Sequence, residues 1–247
     1  MGCVVSKGVN RTQQLTITKT QNKIKEALKL KLALDGDSHK LLTLERILLK
    51  FEKMHTFMKN IKVLFNELSN DKKSLNLDEL VEAMNVLHGA VSKEETMDLF
   101  DYVDVDGSHR INLKEFLCLL TVALVLKIIP AFNQVRESGG ADSPIRASVS
   151  FMHGNNTEIK NMLDLIVSAY LRFDPDCDGY IKAERFTQIL ENEQGQGQSK
   201  LISSGKGSNN VSQTKWKEMD FDHNGCIDFA EFVYTFSKWV DIEDDIE

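Results

Sequence analysis

A segment of twelve residues that is rich in acidic side chains recurs along this chain of 247 residues. Its fullest copy spans residues 220–231 and carries Asp, Asp, Asn, Gly and Glu at positions one, three, five, six and twelve. Residues 104–115 and 174–185 repeat most of that pattern, whereas residues 68–79 keep the closing glutamate and an apolar eighth residue. Such a recurrence predicts a fold built from four copies of one supersecondary unit.

The residues that flank these segments, here numbered loops one to four in chain order, repeat as well. An apolar residue stands four places before each loop, at its eighth position and directly after it: Leu64, Phe100, Tyr170 and Trp216, then Leu75, Ile111, Ile181 and Ile227, then Leu80, Phe116, Phe186 and Phe232. This spacing predicts a helix on each side of every loop, with one face buried. We therefore predict an all-α fold of four helix–loop–helix units in two paired lobes, with short β pairings between the loops.

Loop four offers the oxygen atoms that a calcium ion requires. Calcium takes about six to eight oxygen ligands, and its loops carry a glycine at a sharp turn and a glutamate that closes the site with both oxygens. The expected ligands are the side chains of Asp220, Asp222, Asn224 and Glu231, the backbone carbonyl of Cys226, and Asp228 acting through water. This match predicts a calcium site.

Loop two predicts a second and weaker calcium site. Its expected ligands are Asp104, Asp106, Ser108, the Arg110 carbonyl, Asn112 and Glu115. The glycine, Gly107, stands at position four, so His109 occupies position six, where the sharp turn normally requires glycine. A histidine with a positive φ costs about 1 kcal/mol, and three acidic ligands instead of four weaken the attraction further.

The other two loops depart further from the pattern. Loop three keeps Asp174, Asp176, Asp178 and the Tyr180 carbonyl, but Arg185 replaces the closing glutamate. Two interpretations stay open for it: a partial site, of the magnesium type with water completing the shell, or a structural partner for loop four. Loop one carries Leu68, Lys72 and Lys73 where ligands or the glycine belong, and we expect no metal there.

In these features the chain resembles the EF-hand calcium-binding superfamily over about residues 54–240. It looks similar to the calmodulin-like sensors of plants, and its Met1-Gly2-Cys3 start resembles that of other plant calcium-signalling proteins. The resemblance implies Ca²⁺ as the ligand, and we separately expect no enzymatic activity. The second expectation agrees with the absence of a phosphate-loop motif, a dinucleotide-binding glycine pattern before a strand, and a G-x-S-x-G motif in the sequence.

Composition shifts divide the chain into five predicted parts. Residues 1–40 form a basic, flexible, lipidated segment, residues 41–130 the first lobe, and residues 158–240 the second lobe. Residues 131–157 form a Ser/Gly-rich linker, residues 194–210 a mobile insert in the second lobe, and residues 241–247 an acidic tail. Residues 21–35 fit either an interfacial helix or, from their alternating leucines, a strand.

The amino-terminal residues predict attachment to a membrane. Gly2 and Ser6 fit the myristoylation pattern, and Cys3 beside them is available for palmitoylation. Residues 1–62 carry 13 basic against 5 acidic residues, a net charge of +8, which favours an anionic membrane surface. We expect a cytoplasmic protein peripheral to the cytosolic face of a membrane, such as the plasma membrane. The overall charge of −7 argues against binding to nucleic acid.

These expectations favour a calcium sensor that relays its signal to an unidentified target protein, as a monomer or as a heteromer with that target. Leu117, Leu120, Leu124, Leu126, Phe232, Phe236 and Trp239 are candidate liners of a target groove. Two alternatives remain. One is a regulatory subunit of a protein kinase or phosphatase, which would resemble the calcineurin B-like family, and the other is a calcium buffer.

Overall fold

The computed structural model describes residues 11–35, 54–71, 73–132, 157–194, 214 and 216–239. The helices are α1 (Arg11–Asp35), α2 (Met54–Leu68), α3 (Leu77–Val86), α4 (Lys93–Val103), α5 (Leu113–Val125), a 3-10 helix (Pro130–Phe132), α6 (Thr157–Phe173), α7 (Ala183–Gln194) and α8 (Phe229–Trp239). The strands are β1 (Ile181–Lys182) and β2 (Cys226–Ile227). Residues 216–219 are also helical and lead into loop four. The predicted all-α fold is confirmed.

The last four residues of a loop start the helix that follows it. In loop two, the Asn112 side chain accepts hydrogen bonds from the Lys114 and Glu115 amides, and the Glu115 side chain accepts one from the Asn112 amide in return. Asn76 and Glu79 form the same capping box in loop one. A box of this kind satisfies helix-end donors that would otherwise lack partners. The closing glutamate therefore has a structural role that is independent of metal.

The loops pair through their eighth residues, as the sequence predicted. Leu75 and Ile111 exchange two backbone hydrogen bonds of 2.8 Å and join loops one and two. Ile181 and Ile227 are partners in the antiparallel β1–β2 pair, which joins loops three and four. Each pairing fixes the two loops of a lobe side by side, so a change in one loop acts directly on its neighbour.

The two lobes share one continuous core because α5 packs against both. It contacts α2 and α4 in its own lobe and α6 and α8 in the second. Every α5 residue except Lys114 is buried, and the Cys118 thiol donates to the Ala230 carbonyl across the lobe boundary at 3.5 Å. The second lobe explains why this helix is apolar on all sides.

Six of the seven predicted groove residues are at least partly covered in this arrangement. Leu117, Leu120, Leu124, Phe232 and Phe236 are buried, and Leu126 is partly buried. Phe232 lies edge-on to Tyr170 and also contacts the Phe236 ring. The structure is therefore a closed form, in which α5 and α8, the helices that follow loops two and four, cover each other.

The prediction of a flexible segment over residues 1–40 is wrong for Arg11–Asp35, which forms α1. Ile24 and Leu28 lie one turn apart and are buried against the core, whereas Leu30 and Leu34 are 55% and 71% exposed. The alternating leucines thus belong to a helix, whose 3.6-residue period separates them between two faces. The helix packs on α4 and α5.

Several predicted features lie outside the described residues. They are the lipidation sites Gly2 and Cys3, most of the linker 131–157, the insert 194–210 apart from its first residue, and the tail 241–247. Among the helices that the structure describes, none combines the length and the apolar character needed to cross a bilayer.

Candidate calcium sites

Loop four gathers three acidic side chains at one point. Oxygen atoms of Asp220, Asp222 and Glu231 all lie within 4.8 Å of one another. The two oxygens of Glu231 face into the loop, where one accepts from the Phe221 and Asp222 amides at 3.1 and 3.3 Å. The other accepts from the Asp228 amide at 3.0 Å. The predicted closing ligand is therefore already turned toward the predicted site.

The remaining loop-four residues hold this arrangement in place. Asn224 Oδ1 accepts from the Cys226 amide at 2.8 Å, while its Nδ2 donates to Asp222 at 2.9 Å. Cys226 begins β2, so its backbone position is fixed by the strand pairing. Asp228 Oδ1 caps α8 by accepting from the Glu231 amide at 2.9 Å. All six predicted residues thus belong to one connected loop.

Two observations indicate that this loop fits a divalent cation. Asp220 Oδ1 is buried and has no hydrogen-bond partner among the described residues, a costly condition for a carboxylate oxygen. Burial, reinforced by the charges of Asp228 and Asp222, raises the pKa of Glu231 to about 8. This direction favours the protonated form of Glu231 in the metal-free loop, and calcium binding would displace that proton. A hard cation satisfies both groups at once.

Loop two forms a second acidic cluster of the same kind. Oxygen atoms of Asp104, Asp106 and Glu115 lie within 4.8 Å of one another. Glu115 is fully buried, and burial, with smaller contributions from Asp106 and Asp104, raises its pKa to about 8. The Ser108 hydroxyl donates to the Arg110 carbonyl at 2.9 Å, and Asn112 Nδ2 donates to Asp106 at 3.3 Å. The six predicted ligand residues are therefore close together here too.

The displaced glycine of loop two is explained by the backbone. Loops two, three and four each have a positive φ at both position four and position six. Loop two places Gly107 at position four and His109, with φ 58°, at position six. Loop four does the reverse, with His223 at φ 54° and Gly225 at φ 80°. Both loops thus have one glycine for two left-handed positions, and the predicted strain at His109 is matched by similar strain at His223.

Loop three carries cations of its own. Arg185 Nη2 lies 3.1 Å from Asp176 Oδ2, and Lys182 Nζ lies 2.6 Å from Asp178 Oδ2. Asp174 is buried and accepts from the Asp178 and Gly179 amides at 2.9 Å. Lys182 stands at position nine, where loops two and four have Asn112 and Asp228, and the sequence interpretation overlooked it. These pairs favour the structural-partner interpretation, whereas magnesium binding and the Tyr180 carbonyl ligand stay predictions.

An amide takes the place of a cation in loop one. Asn70 Nδ2 donates to the closing Glu79 at 2.7 Å. Arg110 of loop two reaches across the pairing and binds Asp71 at 2.8 Å and the Ser74 hydroxyl. Hydrogen bonds from the Ser74 and Lys73 amides, together with the nearby Arg110, hold the pKa of Asp71 well below its usual range. Loop one is therefore a structural partner of loop two, held in place by hydrogen bonds and an ion pair.

Comparison with known proteins agrees with this geometry. Residues 58–121 match the EF-hand domain pair family. The chain is 26% identical over 244 residues to "Probable calcium-binding protein CML21" of Arabidopsis thaliana, covering 98% of this chain and 94% of that protein. It is 26% identical over 203 residues to "Probable calcium-binding protein CML22" of the same plant, covering 82% and 80%.

The chain is also similar to a calcineurin B protein. The chain is 23% identical over 186 residues to the type 1 calcineurin B protein of Dictyostelium discoideum, covering 72% of this chain and 96% of that protein. The resemblance expected from the loop residues is confirmed by the matched domain pair and the two plant relatives. With its four helix–loop–helix units, the chain is similar to EF-hand proteins of the calmodulin-like kind.

Proposed function

We propose that this chain is a non-enzymatic calcium sensor that takes up Ca²⁺ in loops two and four and passes the signal to a target protein at a membrane. One observation carries the calcium part of the proposal. Each of these two loops brings three acidic side chains within 4.8 Å of one another and includes a buried closing glutamate. Loops one and three place an amide or cations against their acidic groups instead.

The closing glutamates connect the two sites to the lobe interface. Glu115 is the third residue of α5, and Glu231 is the third residue of α8. Bound calcium is a divalent cation that both carboxylate oxygens of a closing glutamate can coordinate. Because each carboxylate already faces its loop from the first turn of its helix, a cation that draws the ligand oxygens closer together pulls on that helix. Since α5 and α8 pack on each other, both sites act on the same contact.

Opening of that contact would create the surface for a target. The apolar side chains now buried between the helices include Leu117, Leu120, Phe232 and Phe236. A sensor EF-hand exposes such residues when its exit helix moves, and an amphipathic segment of the target then binds them. The closed form accordingly represents the resting state in this proposal.

A calcium titration with two optical readouts tests the sensor proposal. Trp216 lies against Phe186 at 5.6 Å between ring centres, close to loop four, so its fluorescence is expected to change as that loop fills. An apolar dye is expected to bind at the same calcium concentration. Calcium uptake that leaves dye binding unchanged would contradict the sensor and favour the buffer.

The membrane part of the proposal rests on the Gly2, Cys3 and Ser6 pattern together with the net charge of +8 over residues 1–62. We expect the chain to incorporate labelled myristate in cells and to sediment with membranes. The Gly2→Ala variant is expected to lose both properties. Equal membrane association of the two proteins would contradict attachment through this lipid.

The relative named as a calcineurin B protein supports a second candidate, a regulatory subunit of a phosphatase or kinase. A dedicated subunit differs from a sensor in that it stays bound to one partner without calcium. Purification of the tagged chain with and without a calcium chelator separates the candidates. A stoichiometric partner that survives the chelator favours the regulatory subunit, whereas a partner released by it favours the sensor.

A further inference from the structure

One side chain from outside the repeated loops reaches a predicted ligand of loop four. Gln21 of α1 donates from Nε2 to Asp228 Oδ2 at 3.2 Å, across 207 residues of sequence. Its Oε1 accepts from the Tyr180 hydroxyl of loop three at 3.1 Å. Both ends of the amide are therefore engaged, which fixes the orientation of the group against the paired loops.

We infer that Gln21 is a positioning residue of the loop-four site, through which docking of α1 opposes calcium binding and calcium binding loosens α1. This inference rests on the proposed calcium binding by loop four. It adds that the site extends beyond its twelve residues and is coupled to a helix near the start of the chain.

The direction of the coupling follows from the two oxygens of Asp228. One of them, Oδ1, accepts from the Glu231 amide and caps α8. The residue at position nine of a calcium loop often acts through a water molecule, and Oδ2 is the oxygen that such a water would contact. The Gln21 amide already donates to Oδ2. A filled site and the docked amide would thus share one carboxylate, and each donor weakens the contact that the carboxylate makes with the other.

Loop two offers an internal comparison. Its position-nine residue, Asn112, caps α5 through Oδ1 and donates from Nδ2 to Asp106 of the same loop. In the part of the chain that the structure describes, α1 thus contacts the position-nine side chain of loop four, Asp228. The inferred coupling therefore applies to one site and leaves the other to fill independently of Gln21.

The contacts of α1 extend this coupling to both lobes. Lys23 pairs with Glu95 of α4 at 2.9 Å, and Lys31 pairs with Asp164 of α6 at 3.0 Å. Lys25 covers loop three so closely that a Cβ added at Gly179 would lie 3.6 Å from its Cδ. If calcium binding weakens the contact between α1 and Asp228, it therefore loosens a helix that connects the first lobe to the second.

Reciprocity makes the inference measurable in two ways. If α1 docking lowers the affinity of loop four for calcium, calcium must weaken α1 docking by the same factor. The Gln21→Ala variant is expected to bind calcium at loop four about fivefold more tightly, the low end of couplings between linked sites. Tyr180→Phe removes the hydroxyl that holds Gln21 and keeps the backbone carbonyl, so a smaller change in the same direction is expected.

The experiment combines calorimetric calcium titration with hydrogen exchange of the α1 amides. Asn22→Ala is the matched control, because Asn22 is the neighbouring exposed amide on α1 and both substitutions raise helix propensity. In the wild type and the control, exchange over residues 19–34 is expected to accelerate when calcium is added. In Gln21→Ala this exchange is expected to be fast already and to change less.

The outcomes separate the inference from the proposed function. Calcium binding with equal affinity in wild type, Gln21→Ala and Asn22→Ala would overturn the inference and leave the sensor intact. Unchanged or slower α1 exchange on calcium addition would overturn it as well. Failure of all three proteins to bind calcium would instead remove the proposed function, and the coupling with it.

Discussion

The Glu231→Gln variant is expected to lose calcium binding at loop four in the micromolar range, with affinity lowered about a hundredfold, as between sensor sites and weak extracellular ones. The physical reason is that glutamine offers one oxygen where the closing glutamate offers two and a charge. The buried Asp220 Oδ1 then lacks the cation that would compensate it. Calorimetric titration of the metal-free protein measures the change.

The matched control for this variant is Glu79→Gln. Glu79 occupies the same position in loop one, is also buried, and forms the same capping box. Its partner is Asn70, so the substitution removes a charge without removing a proposed metal ligand. We expect it to leave the tight calcium site unchanged. Equal losses in the two variants would show that the effect of Glu231→Gln is one of folding.

Loop three is expected to gain calcium binding when its two cations are replaced. In the double variant with Lys182→Asn and Arg185→Glu, position nine acquires an oxygen and position twelve acquires the closing carboxylate. The ion pairs to Asp178 and Asp176 disappear at the same time. We expect one additional calcium per chain in calorimetric titration, with an affinity in the range of sensor sites, about 0.1 to 10 μM.

The Arg185→Gln variant controls for this gain. It releases Asp176 from its ion pair but provides no bidentate carboxylate, so we expect no additional site. Should Arg185→Gln alone bind the extra calcium, the ion pair and not the missing ligand would be what keeps loop three metal-free. If the double variant gains no calcium site, Lys182 and Arg185 are not what keeps loop three from binding calcium.

The closed contact between α5 and α8 gives the two calcium loops a shared output. Phe232 belongs to an aromatic cluster with Tyr170, Phe173 and Phe236, and the Cys118–Ala230 contact joins the lobes beside it. Burial of each large apolar side chain contributes about 1.5–3 kcal/mol. Opening is therefore costly, and binding of a target segment to the exposed residues would have to offset the lost contacts.

The local features of the fold could be predicted because they depend on neighbours in sequence. The ligand spacing of loop four and the pairing of Ile181 with Ile227 each involve one loop or two adjacent loops. A fixed spacing of side chains is sufficient to define such features, so a repeat reveals them directly.

The long-range features could not be predicted in this way. The docking of α1 depends on partners such as Glu95, Asp164 and Asp228 that lie 72 to 207 residues away. Its helical stripe of Thr20, Ile24 and Leu28 was present in the sequence, but the net basic charge and the alternating leucines obscured it. The covering of α5 by the second lobe likewise depends on how two lobes meet, which no repeat within either lobe specifies.

The central claim is that loops two and four, and not loops one and three, take up calcium. Calorimetric titration of the metal-free full chain tests it most directly. We predict two calcium ions per chain, a tighter one lost in Glu231→Gln and a weaker one lost in Glu115→Gln, with proton release on binding because the pKa of each closing glutamate is raised to about 8. Absence of binding heat at millimolar calcium, or unchanged binding in both variants, would contradict the account.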